Sequence, residues 1–306
     1  MSFVAAALKP RSLLVATDFS ESSQKALRHA LAIARFYQSK LCLAHVVCSL
    51  GLTLAGPAAI DACEDAALRD AAELQQSLAR TGDLSGLQHK FIVRHGEVWP
   101  ELKEIIRQEA CDLIVIGTHG AAGIRKLFFG STAEEIFRQA DCPVLILGPN
   151  SHERPWMGTS SSPRTFLFAT ASSQRSVDVL PYAVAVANHF EAKLVFLSVV
   201  PAVSCSGNTN QELSEMQEDV RVEVLNGLAK LASRAALEVR PEFWADSNSR
   251  PASEVILEAA RNIQADLIIM GVHHSAHAGL VSHLGPHTAY EVACQAYSPT
   301  LLVPVH

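Results

Sequence analysis

Apolar residues along this chain gather in short unbroken runs, and the segments between the runs carry helical spacing. Leu13-Leu14-Val15-Ala16, Leu41-Cys42-Leu43-Ala44, Leu113-Ile114-Val115-Ile116 and Val144-Leu145-Ile146-Leu147 do not alternate with polar residues. Parallel strands covered on both faces read this way. After the first run, Leu27, Ala30, Leu31 and Ala34 fall at i, i+3, i+4 and i+7, one face of a helix. The pattern further predicts a helix over 61–80, a strand near 90–94 and a helix over 98–109.

The same order of elements then returns. Residues 13–17 match 166–170 and residues 40–47 match 193–200, both at an offset of 153. Cys111-Asp112-Leu113-Ile114 matches Ala265-Asp266-Leu267-Ile268, and Cys142-Pro143-Val144 matches Ser298-Pro299-Thr300, at offsets only slightly larger. Val177, Leu180, Val184 and Ala187 repeat the first helical face. A helix over 211–236, a strand over 238–244 and a helix over 253–262 follow in step. A period this long is a duplicated domain and not a solenoid. Between the copies, Pro149-Asn150-Ser151-His152 continues through Pro155, Gly158 and Ser160-Ser161-Ser162-Pro163, a linker composition. The expectation is an α/β chain of two tandem doubly wound domains, 1–150 and 151–306. Each holds a five-stranded parallel sheet flanked by helices and joined by right-handed crossovers. Ligands of such sheets sit beyond the carboxyl ends of the strands, at the switch point of strand order.

Composition narrows the function. The 306 residues are 49% hydrophobic and 18% charged, which suits buried cores and excludes disorder over most of the chain. A net charge of −6 without Lys or Arg runs argues against nucleic acid. No stretch approaches the ~20 apolar residues that span a bilayer, so no membrane partner is expected. No basic segment precedes an apolar run at the start, so a signal peptide is not expected. Seven cysteines, an odd number without C-x-x-C, fit neither a disulfide framework nor a structural zinc site. Most read as small buried hydrophobes in a reducing cytoplasm.

The candidate chemistry sits in a glycine loop. The fourth strand of the first copy, Leu113-Ile114-Val115-Ile116, ends in Gly117-Thr118-His119-Gly120, and Gly130-Ser131-Thr132 opens a helical stretch. Glycines admit close backbone approach, Ser131 and Thr132 supply hydroxyls, and a helix N-terminus offers free N–H groups to an anion. The plain alternative is a surface turn. Weighing against it, Thr17-Asp18-Phe19-Ser20 ends the first strand at the same edge of the sheet. No P-loop, nucleophile elbow or dinucleotide fingerprint occurs. Glu134 and Glu135 fit the first turn of a helix, where acids are favoured without any catalytic role.

The spacing G-x2-G-x9-G-S, filled by Gly117, Gly120, Gly130 and Ser131, resembles the ATP-binding signature of the universal stress protein family. Thr17-Asp18-Phe19-Ser20 and His45-Val46 resemble that family's first- and second-strand endings. The resemblance implies that Asp18 and the backbone of Val46 read adenine. It implies that Thr17, Ile116, Gly117, His119 and Gly120 line the ribose and phosphate path, and that Gly130, Ser131 and Thr132 hold the phosphates. It implies ATP as ligand, and leaves Mg2+ beside it open.

The second copy departs from the pattern. Ala171 stands where the first has Asp18, Gly271-Val272-His273-His274 replaces the glycine pair, and Gly285-Pro286 replaces Gly130-Ser131. Proline has no N–H for a phosphate. Five of the thirteen histidines crowd here, His273, His274, His277, His283 and His287. No carboxylate or cysteine completes a metal set locally, so a solvated loop is the preferred reading. The expectation is a cytoplasmic, ATP-binding stress-response regulator whose first domain holds the nucleotide. The second is then a structural partner in a pseudo-dimer, with the apolar fifth strands as pairing edges and homodimerisation open. Two alternatives stand beside it: a slow ATP-hydrolysing or adenylate-processing enzyme, and an association module without nucleotide.

Overall fold

The computed structural model describes residues 9–48, 57–118, 131–152, 164–170, 176–201, 210–233, 242–248, 250–273 and 286–305. They form two compact units, 1–159 and 160–306.

The first unit runs β1 (Ser12–Ala16), α1 (Glu21–Tyr37), β2 (Lys40–Cys48), α2 (Pro57–Arg80), β3 (His89–Gly96), α3 (Val98–Gln108), β4 (Leu113–Gly117), α4 (Ser131–Gln139) and β5 (Val144–Leu147). Its strands lie in the order β3-β2-β1-β4-β5, every pair parallel. The first two crossovers step one way from β1 and the last two step the other way. Right-handedness therefore places α1 and α2 on one face of the sheet and α3 and α4 on the opposite face. Both faces are covered, and Leu13, Leu14, Val15, Ile114 and Val115 have no exposure at all. That is why the strands read as continuous apolar runs.

The second unit repeats this with β6 (Thr165–Ala169), α5 (Ser176–His189), β7 (Lys193–Pro201), α6 (Asn210–Ser233), β8 (Glu242–Asn248), α7 (Ala252–Asn262), β9 (Leu267–His273), α8 (Pro286–Gln295) and β10 (Thr300–Val305). Its parallel order is β8-β7-β6-β9-β10. The predicted strand over 238–244 runs further than expected: β8 pairs with β7 from Glu242 to Asn248, through Asp246 and Ser247, while 238–241 lie outside the described residues. Ladder hydrogen bonds need no apolar side chain, so the apolar pattern marked its end too early. The helix expected to reach 236 is described to Ser233.

Small devices repeat with the fold. Asp112 accepts from the backbone N–H groups of Arg11 and Ser12, and Asp266 accepts from that of Thr165, so one carboxylate anchors the entry of each central strand. Among the described residues, four helices end on a left-handed residue that is not glycine: Gln38, Ala110, Glu191 and Gln264. The residue after each donates back to the sixth-last position, as in Ser39 N to Ala34 O at 2.9 Å and Ala192 N to Ala187 O at 2.8 Å.

In the first unit, α1 also grips the chain leaving β5. Lys25 Nζ donates to the carbonyls of Pro149 and Ser151, each at 3.0 Å. His29, 1% exposed, bonds the carbonyl of His152 through Nε2 at 3.1 Å, while its Nδ1 has no partner. A carbonyl only accepts, so Nε2 carries the proton. Burial pushes the imidazole down from 6.5 to about 4, and Arg28 and Lys25 push the same way.

The cysteines divide. Cys42, Cys111 and Cys294 are buried, Cys63 and Cys142 are half-buried, and Cys48 at the end of β2 is exposed. Cys205 lies outside the described residues. The expectation that most are buried hydrophobes therefore holds for only part of the set.

Candidate functional site

The carboxyl ends of β1 and β4 are neighbours, and the chains leaving them turn to opposite faces. This is the switch point of the first sheet. The turn after β1 is built from side-chain bonds. Thr17 N donates to Ala44 O at 2.9 Å, continuing the ladder one residue past the strand. Thr17 Oγ1 accepts from Phe19 N at 3.0 Å and donates to Ser23 Oγ at 3.1 Å. Phe19 itself is left-handed, with φ +61°. A bulky side chain in that region is strained, and such strain persists only where surroundings hold it. Here the Phe19 ring lies 4.7 Å from the imidazole of His45, tilted by 35°, and His45 Nδ1 donates to Thr17 O at 2.7 Å.

Asp18 is exposed at the tip of this turn. Its Oδ1 accepts from Ser20 N at 3.1 Å and Ser20 Oγ at 2.5 Å. Ser20 is the N-cap of α1 and accepts from Ser23 N at 3.3 Å. Asp18 thus braces the helix entry directly, and its carboxylate faces solvent while doing so.

Gly117 ends β4 against the first turn of α1. A Cβ there would stand 2.4 Å from Ser22 Oγ and 2.6 Å from Ser22 O, so only glycine lets strand and helix meet so closely. Thr118 is fully buried and donates its N–H to Leu147 O at 3.1 Å. Ile116 is 2% exposed, so it can offer a ligand only backbone. Val46 is half-buried near the carboxyl end of β2. His119, Gly120 and Gly130 lie outside the described residues. Ser131 and Thr132 open α4, whose first turn also carries Glu134. Glu134 is exposed beside Arg138, 3.7 Å away, and Glu135 is exposed too, as their place on a helix surface suggested.

The structure thus brings Thr17, Asp18, Val46, Ile116 and Gly117 to one edge, where the start of α4 belongs by connectivity. Sequence reasoning missed the Phe19–His45 pair. A non-glycine residue between Asp and Ser at a strand-to-helix turn was the available signal.

The second unit keeps the frame and loses the furniture. Thr170 N donates to Leu197 O at 2.8 Å, as Thr17 does to Ala44. Buried Ser198 stands in the place of His45, and Ser172 in that of Phe19, so the ring pair is gone. Pro286 is the first residue of α8, a position where its missing N–H is harmless to the helix but removes one anion donor. Ala171, His274, His277 and His283 lie outside the described residues. Among the described residues no group of three or more His, Cys, Asp or Glu could hold a metal, and no helix is long and apolar enough to cross a membrane.

A doubly wound parallel sheet flanked by helices defines a class of α/β domains, here present twice. The sequence model of the universal stress protein family matches residues 10–148 and again 163–304. The chain therefore belongs to the universal stress protein family. It is similar to universal stress protein YxiE of Bacillus subtilis, 27% identical over 143 residues, which covers 44% of this chain and 97% of that protein. A universal stress protein of Mycolicibacterium smegmatis is 24% identical over 313 residues, covering 95% of this chain and 96% of its own. In fold, the crystal structure of a universal stress protein from Archaeoglobus fulgidus matches with a TM-score of 0.64 and 21% identity, covering 96% of this chain and 98% of that one.

Proposed function

We propose that this protein is an ATP-binding regulator of the cytoplasmic stress response, with one nucleotide held by domain 1–150. Domain 151–306 carries a degenerate loop and serves as its structural partner. The observation that carries the reading is the switch-point edge of the first unit. There Asp18 is exposed, Val46 stands half-buried near the carboxyl end of β2, Gly117 ends β4 close against the first turn of α1, and α4 opens at Ser131. A carboxylate has about four lone-pair sites, so Asp18 can serve its N-cap and still accept from an adenine amino group. The hydroxyls and N–H groups at Ser131 and Thr132 suit phosphate, which gains roughly 0.3–2 kcal/mol from the helix dipole. Glu134 and Glu135 point to no general base, so the role is binding, with hydrolysis at most slow.

Calorimetric titration of the whole chain with ATP, ADP and cyclic AMP tests this. One site per chain is expected, with ATP preferred. Gly130→Val abolishes it, because bulk and restricted φ obstruct the phosphate. A count of two sites, or a Gly130→Val variant that binds normally, overturns the assignment to the first domain. No binding of any adenylate leaves the association-module reading.

A further inference from the structure

We propose that α1 clasps the chain leaving β5 through Lys25 and His29, and that a proton on His29 opens the clasp and gives slack to the connector between the two domains.

The clasped segment is a closed turn. Ser151 N donates to Gly148 O at 3.1 Å and Gly148 N donates to Ser151 Oγ at 2.9 Å, with Pro149 and Asn150 at the bend. The fixed φ of proline suits the second position of such a turn. Ser151 is only 3% exposed, so the turn is seated in the first unit. Two side chains of α1, four residues apart and so on one face of the helix, hold it. Lys25 Nζ spans the bend, from Pro149 O to Ser151 O, and His29 Nε2 takes the carbonyl of His152. Three carbonyls at the start of the connector thus end on one helix.

The duplication separates this clasp from the needs of the fold. In the second unit, α5 matches α1 at an offset of 153, which pairs left-handed Gln38 with Glu191 and buried Leu27 with Leu180. At that offset Lys25 becomes Asp178 and His29 becomes Tyr182. A carboxylate has no proton to give a carbonyl. A helix can therefore cover this kind of sheet without the pair, and the pair stands in the copy from which the connector departs.

Geometry makes His29 the release. Its Nε2 gives a proton to His152 O, while Nδ1 is buried without a partner. A second proton would set a buried N–H opposite no acceptor and a buried charge beside like charges. Of the strands that α1 packs on, β1, β4 and β5 hold no titratable side chain, and β2 holds Lys40, Cys42, His45 and Cys48. The charges that bear on His29 are Lys25 and Arg28 of its own helix and His152 across from it, all of cationic type. The doubly protonated ring is therefore driven toward water, and as it leaves, the His152 carbonyl is dropped. Burial holds the closed imidazole at about 4, against 6.5 in solvent, so opening takes up a proton and grows as pH falls between those values. The opening is local, a step short of unfolding the unit.

Hydrogen exchange of the full chain at pH 7, 6 and 5 tests this, each rate divided by the intrinsic rate at that pH. The amides of Gly148 and Ser151 report the clasp, and the amide of Ile114, bonded to Pro143 O at the head of β4, reports unfolding of the unit. Gly148 and Ser151 are expected to exchange faster than Ile114 at every pH. They are expected to lose protection roughly twentyfold from pH 7 to pH 5, the ratio set by a shift from 6.5 to about 4. His29→Gln keeps a donor for His152 and cannot titrate, so it should flatten that fall. Lys25→Met should lower protection at all three pH values and keep most of the fall. Exchange of Gly148 and Ser151 only in step with Ile114 overturns the proposal, since no local opening then exists. So does a His29→Gln variant whose protection falls as steeply as that of the unmodified chain. Should His29→Gln not fold, the unmodified chain decides alone, and protection that stays level from pH 7 to pH 5 overturns the proposal.

Discussion

Acidification should loosen the first unit through one residue, His29. In the unfolded chain a histidine titrates near 6.5, whereas in the native protein burial holds this one at about 4. Between those values the unfolded state binds the proton and the native state does not. Stability is thus full above about pH 6.5 and falls as pH drops, levelling off near pH 4. The gap of roughly 2.5 units corresponds to about 3 kcal/mol in total, of which about 2 kcal/mol is already lost at pH 5. The structure supplies the reason. Nε2 gives its proton to the His152 carbonyl, and a second proton on Nδ1 would find no acceptor while facing the charges of Lys25 and Arg28. The comparison variant is His29→Gln, which keeps an N–H donor for His152 and cannot titrate. Urea denaturation at pH 7, 6 and 5 gives both curves, and titrations elsewhere in the molecule cancel between them. Unfolding free energies of the two proteins that fall in parallel across this range would refute the reasoning.

Other outcomes follow from single contacts. Gly117→Ala should destabilise by about 1–3 kcal/mol, since its Cβ meets Ser22 backbone as well as side chain. Gly271→Ala should cost less, since a Val179 methyl at 2.7 Å can turn away, and equal losses in thermal melts would contradict this. Ala110→Gly should stabilise by about 0.5–1 kcal/mol by relieving a left-handed alanine, unless a lower melting temperature shows the αL strain to be negligible. Asp18→Ala should lose about 1 kcal/mol of stability with the cap and roughly 10- to 100-fold in ATP affinity with the charge-assisted bond. Asp18→Asn should weaken affinity while sparing most of the stability, and a variant that loses both equally would assign Asp18 to the helix alone.

Much of the frame was legible because it rests on local pattern. Strands covered on both faces read as Leu13-Leu14-Val15 or Ile114-Val115-Ile116, and the repeat exposed the duplication without any coordinates. What escaped depends on register between distant segments. Nothing in Cys111-Asp112 states that Asp112 will anchor the backbone of Arg11 and Ser12, or that Cys111 will meet the Ser12 hydroxyl. The grip of Lys25 and His29 on residues 149–152 is likewise invisible in a helix whose apolar face alone was read. In the cleft, Asp18 was seen as a ligand residue, while its bond to Ser20 appears only once the turn is built. The glycine loop itself, with His119, Gly120 and Gly130, lies outside the described residues and rests on the sequence.

Since β1, β2 and β3 each begin 153 residues before β6, β7 and β8, the two units are alike in gauge over their first three strands. A protein built this way carries a spare socket. On the reading given above, the second domain lacks a nucleotide site through the residues at Ala171, His274 and Pro286, all outside the strand ranges. On that same reading the chain holds an internal blank against which the first cleft can be measured. It also holds a place where a second nucleotide site could be restored by changing loops alone.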